Sequence, residues 1–191
     1  MPYAKDRKLL VALPPLYRRA SGFTLIELMV IVALLGVFAA IAIPNFTQFI
    51  NNNRTQSANN EVLALLQYAR SVAVAQRITV SVCPGDDTWL AKIKDCTSSS
   101  ETLRSMEVPS GTSISSNPNE MAFRHNGVAV ASATIQTCRQ DDFSNGYTIS
   151  LKSAGSIRTY ARGKSGPGAD DNMSGCDAND DEAEEGEEDN G

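Results

Sequence analysis

A single carboxylate lies inside a long apolar run near the start of the chain, and its position suggests chemistry. From Phe23 to Ile43 the only charged residue is Glu27. A carboxylate within a membrane helix costs about 3 kcal/mol on insertion scales unless a cation pairs with it. Cleavage between Gly22 and Phe23 would create such a cation, the new α-amine of Phe23. Because Phe23 and Glu27 are four residues apart, both would lie on one helix face. The amine could pair with Glu27 of the same chain or of a neighbouring copy.

The helix that would position this pair is long enough to cross a bilayer, which requires roughly 20 residues at ~1.5 Å rise per residue. Five bases and one acid, Asp6, precede the run. The bases are Lys5, Arg7, Lys8, Arg18 and Arg19. By the positive-inside rule, the sequence predicts a single span with its N-terminus in the cytoplasm and the remainder exported. A secretory signal peptide is an alternative, because Ala40-Ile41-Ala42 has a small-x-small cleavage pattern, but Glu27 in the apolar core argues against it.

The segment Gly22-Phe23-Thr24-Leu25-Ile26-Glu27 resembles the prepilin-peptidase site of type IV pilins and type II secretion pseudopilins. Pro44 falls at the family's proline position; proline removes a backbone donor and clashes with the preceding turn, so we expect a helix kink there. The resemblance implies that a membrane peptidase cuts after Gly22 and methylates Phe23, and that Glu27 guides docking into a growing fibre. Segments 45–48, 54–56 and 66–71 are similar to minor pilins of the GspH/FimT type, particularly FimU-like ones.

The resemblance also implies a location and a set of partners. The chain would be a single-pass protein of the bacterial inner membrane, with its globular domain in the periplasm, and would then enter a pilus fibre or its tip. Its partners would be the prepilin peptidase, inner-membrane lipid before assembly, and other major and minor pilins. The leading hypothesis is therefore a minor pilin that joins a type IV pilus or primes its assembly. A pseudopilin of a type II secretion system is an alternative.

Hydrophobic patterning divides the chain into four parts and predicts an α+β fold. Residues 1–22 form a basic leader, 23–77 a long helix whose first part (23–43) spans the membrane, 78–176 a β domain, and 177–191 an acidic, disordered tail. The helix should pack on an antiparallel β-sheet or small β-sandwich, as in pilin-like proteins. Its packing stripe repeats at helical spacing. The stripe consists of Ala58, Val62, Leu65, Leu66, Ala69, Val72 and Ala73.

Short apolar segments with turn residues between them predict the strands of the β domain. Asn126-Gly127 is a hairpin signal. The predicted strands are Ile78–Cys83, Trp89–Lys94, Leu103–Val108, Met121–His125, Val128–Val130, Thr134–Cys138, Tyr147–Lys152 and Ile157–Ala161.

The tail, residues 177–191, holds nine acids and no base, so it accounts for the negative sign of the formal net charge of −5.

The four cysteines suggest two disulfides in an exported domain. Three connectivities are open, and proximity in the sequence favours Cys83 with Cys96 and Cys138 with Cys176. The chain has no Cys-x-x-Cys pair and a single histidine, so the sequence predicts no metal site. It also has no nucleophile elbow, phosphate loop or HExxH motif, and we expect neither an enzyme nor a cofactor.

Nucleic-acid binding is the alternative from a different functional class. Some FimT-like members of the family bind DNA during uptake through a Gly-Arg-x-Arg motif near the C-terminus. The matching segment here is Gly155-Ser156-Ile157-Arg158, in which serine replaces the first arginine. Arg158, Arg162 and Lys164 nevertheless form a local basic group and are the candidate DNA contacts, with Tyr160 available for stacking. The acidic tail that follows opposes phosphate binding.

Overall fold

The structure is a computed structural model that describes residues 22–178. The leader up to residue 21 and the tail from residue 179 lie outside the described residues. One long helix precedes eight strands and a single 3-10 turn within this part of the chain. The elements are α1 (Leu25–Gln76), β1 (Val80–Cys83), β2 (Thr88–Ile93), β3 (Thr102–Glu107), β4 (Thr112–Asn117), β5 (Met121–Phe123), β6 (Ala133–Arg139), η1 (Phe143–Asn145), β7 (Tyr147–Leu151) and β8 (Ile157–Thr159).

Helix α1 begins two residues later than the sequence predicted, at Leu25 rather than Phe23. Thr24 precedes the first turn and caps it, because its hydroxyl accepts a hydrogen bond from the N–H of Glu27. The helix ends at Gln76, where Arg77 adopts a left-handed conformation with φ 56°. Helical backbone continues through Pro44, and the predicted kink at Pro44 stays a prediction.

The chain divides into two compact units at the bond after Pro44. In the first unit, every side chain from Phe23 to Ile43 is exposed. This helix is long and apolar enough to cross a membrane, by length and composition. Its apolar surface is uniform around the helix, which is typical of a segment that contacts lipid or other apolar helices.

The second unit contains two four-stranded antiparallel sheets that share one hydrophobic core with the helix. The strand orders are β3-β2-β1-β5 and β4-β6-β7-β8. The core joins Trp89 and Phe123 of the first sheet to Ile149 and Leu151 of the second. The predicted α+β fold is confirmed, and of the two predicted arrangements of the β part the two sheets agree with the small β-sandwich rather than with a single sheet.

Two strand predictions were wrong. Val128–Val130 is not a strand, since only one isolated bridge, between Ala129 and Phe123, follows the Asn126-Gly127 turn. Conversely, strand β4 was not predicted, and it pairs with β6 over its whole length. Its Thr-Ser-Ile-Ser-Ser-Asn sequence has a single apolar side chain, Ile114, which packs against the core, so most of the strand's stability comes from backbone pairing.

The predicted packing stripe of α1 is confirmed. All seven of its residues are buried except Val72, which is half-buried. Phe46 and Phe49 lie earlier on the helix, outside the stripe, and are 64% and 61% exposed. The lower part of the helix in this unit therefore presents apolar side chains that the globular domain does not cover.

The C-terminal boundary of the globular domain is two residues later than predicted. Asp177 was assigned to a disordered tail, but Ala178 is 1% exposed and its N–H donates to the hydroxyl of Ser115 at 3.0 Å. The carbonyl of Cys176 accepts a hydrogen bond from the same hydroxyl. Residues 177 and 178 thus belong to the domain, because Ser115 on β4 holds the backbone on both sides of Asp177.

Candidate processing and assembly site

Gly22, Phe23 and Glu27 lie at the start of α1, and their predicted roles in cleavage, methylation and assembly stay predictions, as does the helix face that Phe23 and Glu27 were expected to share. Glu27 lies in the first turn of α1, and Gly22 and Phe23 precede the helix in non-helical backbone. The N–H of Glu27 donates to the Thr24 hydroxyl at 3.3 Å, and the N–H of Leu28 donates to the Thr24 carbonyl at 3.2 Å. The capped turn fixes the helix start immediately after the candidate cleavage bond. A carboxylate in the first turn is also favoured by the helix dipole.

Glu27 is exposed and makes no ion pair among residues 22–178. Its neighbours in sequence are large apolar side chains that are also exposed, such as Ile26 at 66% and Leu28 at 58%. A carboxylate in this setting requires a cation once apolar surroundings replace water. The arrangement therefore supplies one half of an ion pair at the edge of an apolar surface.

Gly22 is not required by packing within this chain. A Cβ added at Gly22 would meet no heavy atom within 4 Å. If the glycine is needed, the requirement comes from something that acts on the Gly22–Phe23 bond. The capping role of Thr24 was not predicted, although the Thr-x-x-Glu spacing before an apolar run is the signature of a capping box.

The structure contains two disulfides, and they join the pairs that sequence proximity favoured. Cys83 at the end of β1 is bonded to Cys96, across a separation of 13 residues. Cys138 on β6 is bonded to Cys176, across a separation of 38 residues. The second bond ties the segment after β8 back to the second sheet. Within residues 22–178 no cysteine is left free.

The basic group is only partly available. Arg158 on β8 and Arg162 are exposed, whereas the Lys164 ammonium donates to the Ala169 carbonyl and to the Asn172 amide oxygen. Tyr160 is half-buried. The structure thus leaves two arginines, rather than three bases, open to an anionic partner in this segment.

Gly155, the first residue of the segment that resembles a DNA-binding motif, has a structural role. It has φ +81°, and a Cβ there would lie 2.0 Å from the carbonyl oxygen of Gly127. The same oxygen accepts a hydrogen bond from Nε of Arg70 at 3.0 Å. Helix α1, the Gly127 turn and the β7–β8 turn therefore meet at one point. Nothing in the sequence indicated this contact, because its members are far apart along the chain.

Three features together are typical of the pilin-like class of proteins. They are a capped helix start beside a lone exposed acid, an apolar first half of the helix, and an antiparallel β domain. Residues 58–155, just over half of the chain, match the family model described as type II transport protein GspH. Residues 17–43 match the prokaryotic N-terminal methylation motif. The chain belongs to the GspH family.

Individual relatives agree with this assignment. The crystal structure of the type IV minor pilin FimU from Pseudomonas aeruginosa is similar with a TM-score of 0.51 and 27% identity, over 59% of this chain and 92% of that one. A fimbrial protein of P. aeruginosa is 41% identical over 68 residues, which is 36% of this chain and 44% of that protein. The type IV major pilin protein PilA of Myxococcus xanthus is 47% identical over 53 residues, 28% of this chain and 24% of that protein. The matches span less than half the length of these two curated relatives.

Proposed function

We propose that this protein is a minor type IV pilin that enters a pilus, or primes its assembly, after cleavage between Gly22 and Phe23. The observation that carries the proposal is the position of Glu27, an exposed acid with no ion pair among residues 22–178 and only four residues from a potential N-terminal amine. A prepilin peptidase cuts after Gly22 and methylates the amine of Phe23. The methylated amine keeps its positive charge, so pairing with Glu27 is preserved.

The membrane holds the protein before assembly. Residues 23–43 span the inner membrane once, with the leader in the cytoplasm and the β domain in the periplasm. This orientation is supported by the five bases of the leader, which the positive-inside rule keeps in the cytoplasm. It is also consistent with the two disulfides of the β domain, because disulfides form in oxidising compartments such as the periplasm. The exposed apolar side chains contact lipid there.

Other pilins replace the lipid during assembly. Apolar helices gain little from packing on one another rather than on lipid, so shape and specific polar contacts decide the register. Glu27 provides such a contact, because its carboxylate is stabilised only where a subunit's terminal amine lies beside it. Major and minor pilins are thus the partners, and the Glu27–amine pair sets the axial position of each helix.

The assignment to the minor rather than the major subunits depends on the globular domain. The likeness to the minor pilin FimU extends over 92% of that chain. The curated fimbrial proteins, by contrast, match over only part of their length. A pseudopilin of a type II secretion system is the alternative, and is supported by the family model of residues 58–155. DNA uptake is a weaker alternative that depends on the exposure of Arg158 and Arg162.

The test replaces Glu27 and follows two steps separately. We expect Glu27→Ala to be cleaved normally and to accumulate in the inner membrane, while its amount in sheared pili falls at least about tenfold, because an ion pair in apolar surroundings contributes more than about 1.4 kcal/mol. Glu27→Asp is the matched control and should retain part of the incorporation. Wild-type amounts of the alanine variant in purified fibres would contradict the proposal. Retention of duplex DNA that Arg158→Ala abolishes would favour the uptake alternative.

A further inference from the structure

The free edge of strand β8 borders a groove on the flank of helix α1. β8 is the last strand of the second sheet and pairs only with β7 among the described residues. The groove has a volume of about 550 Å³, and Val74, which is 48% exposed, forms part of its apolar wall. The turn at Gly127 lies against Arg70 and Val74 and bounds the groove at the end nearest the β7–β8 turn. The side chains that line the groove are Gln67, Arg70, Ser71, Val74, Ala75 and Ile157.

The backbone of β8 carries hydrogen-bonding groups that have no strand partner among the described residues. The Ser156 carbonyl accepts a hydrogen bond and the Tyr160 N–H donates one, both on the side of β7. In an antiparallel ladder, the backbone groups of successive residues point to opposite sides of a strand. The N–H and C=O groups of Ile157 and Thr159 therefore point away from β7, toward the free edge.

The side chains of β8 alternate between two faces at this edge. Ile157 lies opposite Leu151, which belongs to the core. Thr159 lies opposite Ile149, which also belongs to the core, so Ile157 and Thr159 share the inward face. Arg158, between them, is exposed on the outward face. A strand added at this edge would direct the residues opposite Ile157 and Thr159 toward the groove, and would place the residue between them beside Arg158.

The charge at this edge is positive. Arg70 is exposed at the groove, Arg158 is exposed on β8, and Arg162 is exposed after it. The hydrogen bond from Nε of Arg70 to the Gly127 carbonyl holds that guanidinium at the groove. None of the six side chains that line the groove is acidic. An extended segment with apolar side chains on its inward face and carboxylates on its outward face is therefore complementary to this edge.

We propose that the free edge of β8 binds an extended acidic peptide segment of another protein by strand addition. Hydrogen bonds to the backbone of Ile157 and Thr159 supply affinity, and the alternate side chains of the segment supply specificity. The apolar side chains enter the groove beside Val74, and a carboxylate between them pairs with Arg158. Because the site lies in the globular domain, this inference is independent of the role of Glu27 in assembly.

The first test measures the binding of a fluorescently labelled peptide, Glu-Val-Glu-Val-Glu, to the full-length protein in neutral detergent by fluorescence anisotropy. Methylation of the two valine nitrogens removes the N–H groups that would face β8, and should weaken binding at least about tenfold. Methylation of the central and final glutamate nitrogens is the matched control, because those groups would face away, and should leave binding unchanged. Equal effects of the two modifications, or no saturable binding of the unmodified peptide, would overturn the proposal.

The second test changes the edge itself. Thr159→Pro removes an edge-facing N–H and leaves the pairing with β7, since proline is tolerated on edge strands. We expect the peptide to bind this variant about tenfold more weakly. Thr159→Val is the control: it keeps the N–H, although it loses the hydroxyl that accepts a hydrogen bond from Asn59, and should bind as the wild type does. Wild-type affinity in the proline variant would overturn the proposal.

Competition and sedimentation identify the occupant. Duplex DNA that displaces the peptide, and whose own binding is unaffected by Thr159→Pro, would show that the arginines alone attract polyanions, and would overturn the proposal. Self-association of the detergent-solubilised wild type that Thr159→Pro abolishes would show that a second copy of this chain occupies the edge, and would overturn it equally.

Discussion

The N–H of Glu27 donates a hydrogen bond to the side-chain hydroxyl of Thr24 at 3.3 Å, so the residue before the helix fixes the turn that holds the acid. Thr24 would also be the second residue of the chain after the proposed cleavage at Gly22. The cap would therefore lie, along the chain, between the new amine at Phe23 and the carboxylate of Glu27. In the proposed mature subunit, the cap would set the geometry of the amine relative to the acid.

Loss of this cap should impair assembly without blocking cleavage. Thr24→Val keeps the shape of the side chain but removes the acceptor, and an N-cap contributes about 1 kcal/mol. We expect the variant to be processed and its incorporation into sheared fibres to fall several-fold, as measured by quantitative mass spectrometry of fibre and membrane fractions. Thr24→Ser retains the hydroxyl and should assemble as wild type does. Equal incorporation of the valine variant would show that the cap has no role.

Substitution of Gly155 should destabilise the globular domain. In Gly155→Ala, the new Cβ would lie 2.0 Å from the Gly127 carbonyl oxygen, in a residue with φ +81°. Relief of that overlap would displace the hydrogen bond from Arg70. We expect the free energy of unfolding of the detergent-solubilised protein to fall by about 2 kcal/mol or more. Gly36→Ala is the control, because nothing lies within 4 Å of its added Cβ; a comparable loss in both variants would refute the contact's importance.

The two disulfides should differ in their contributions to stability. In the chain-entropy model, the cross-link between residues 13 apart contributes about 3 kcal/mol and that between residues 38 apart about 4 kcal/mol. Replacement of Cys138 and Cys176 by serine should therefore lower the urea midpoint more than replacement of Cys83 and Cys96. Alkylation of the native protein without reductant should modify no thiol. Four alkylated cysteines would contradict both bonds.

Acid should loosen the turn after β2. Hydrogen bonds from the hydroxyls of Ser100 and Thr97, and from the N–H of Thr97, lower the pKa of Asp95 from 3.8 to about 2. Because the folded pKa is below the unfolded value, the contribution to stability is present above pH 3.8 and disappears as the pH falls toward 2. NMR titration of the Asp95 carboxyl should give the lowered value, and Ser100→Ala should raise it. A pKa near 3.8 in the wild type would contradict these bonds.

The helix and its packing stripe were predictable because both follow from local patterns. An apolar run, a Thr-x-x-Glu start and a 3.6-residue period depend only on neighbouring residues. The hypothesis for Gly22, Phe23 and Glu27 is local in the same sense, because it depends on spacing along a short segment, and it stays a prediction. Seven of the eight strands that the sequence predicted correspond to observed strands, with shifts of one or two residues at their ends; Met121–His125, for example, shortens to Met121–Phe123.

Features that depend on long-range contacts were not predictable in this way. Strand β4 has no apolar alternation and forms because β6 offers its backbone edge. The division into two sheets follows from β5 pairing with β1, forty residues earlier in the chain. The burial of Ala178 depends on Ser115, 63 residues away. In each case the deciding partner is distant in sequence, so composition and periodicity carry no information about it.

Intact-mass analysis of the protein recovered from its native membrane and from fibres tests the central claim most directly. If Glu27 is placed to bind a freed amine, the mature chain begins at Phe23 and carries one methyl group on its α-nitrogen. A chain that retains residues 1–22 would contradict the account, because the cation that pairs with Glu27 would never form. A chain that begins at Ile43 would contradict it equally, because Glu27 would be absent from the mature protein.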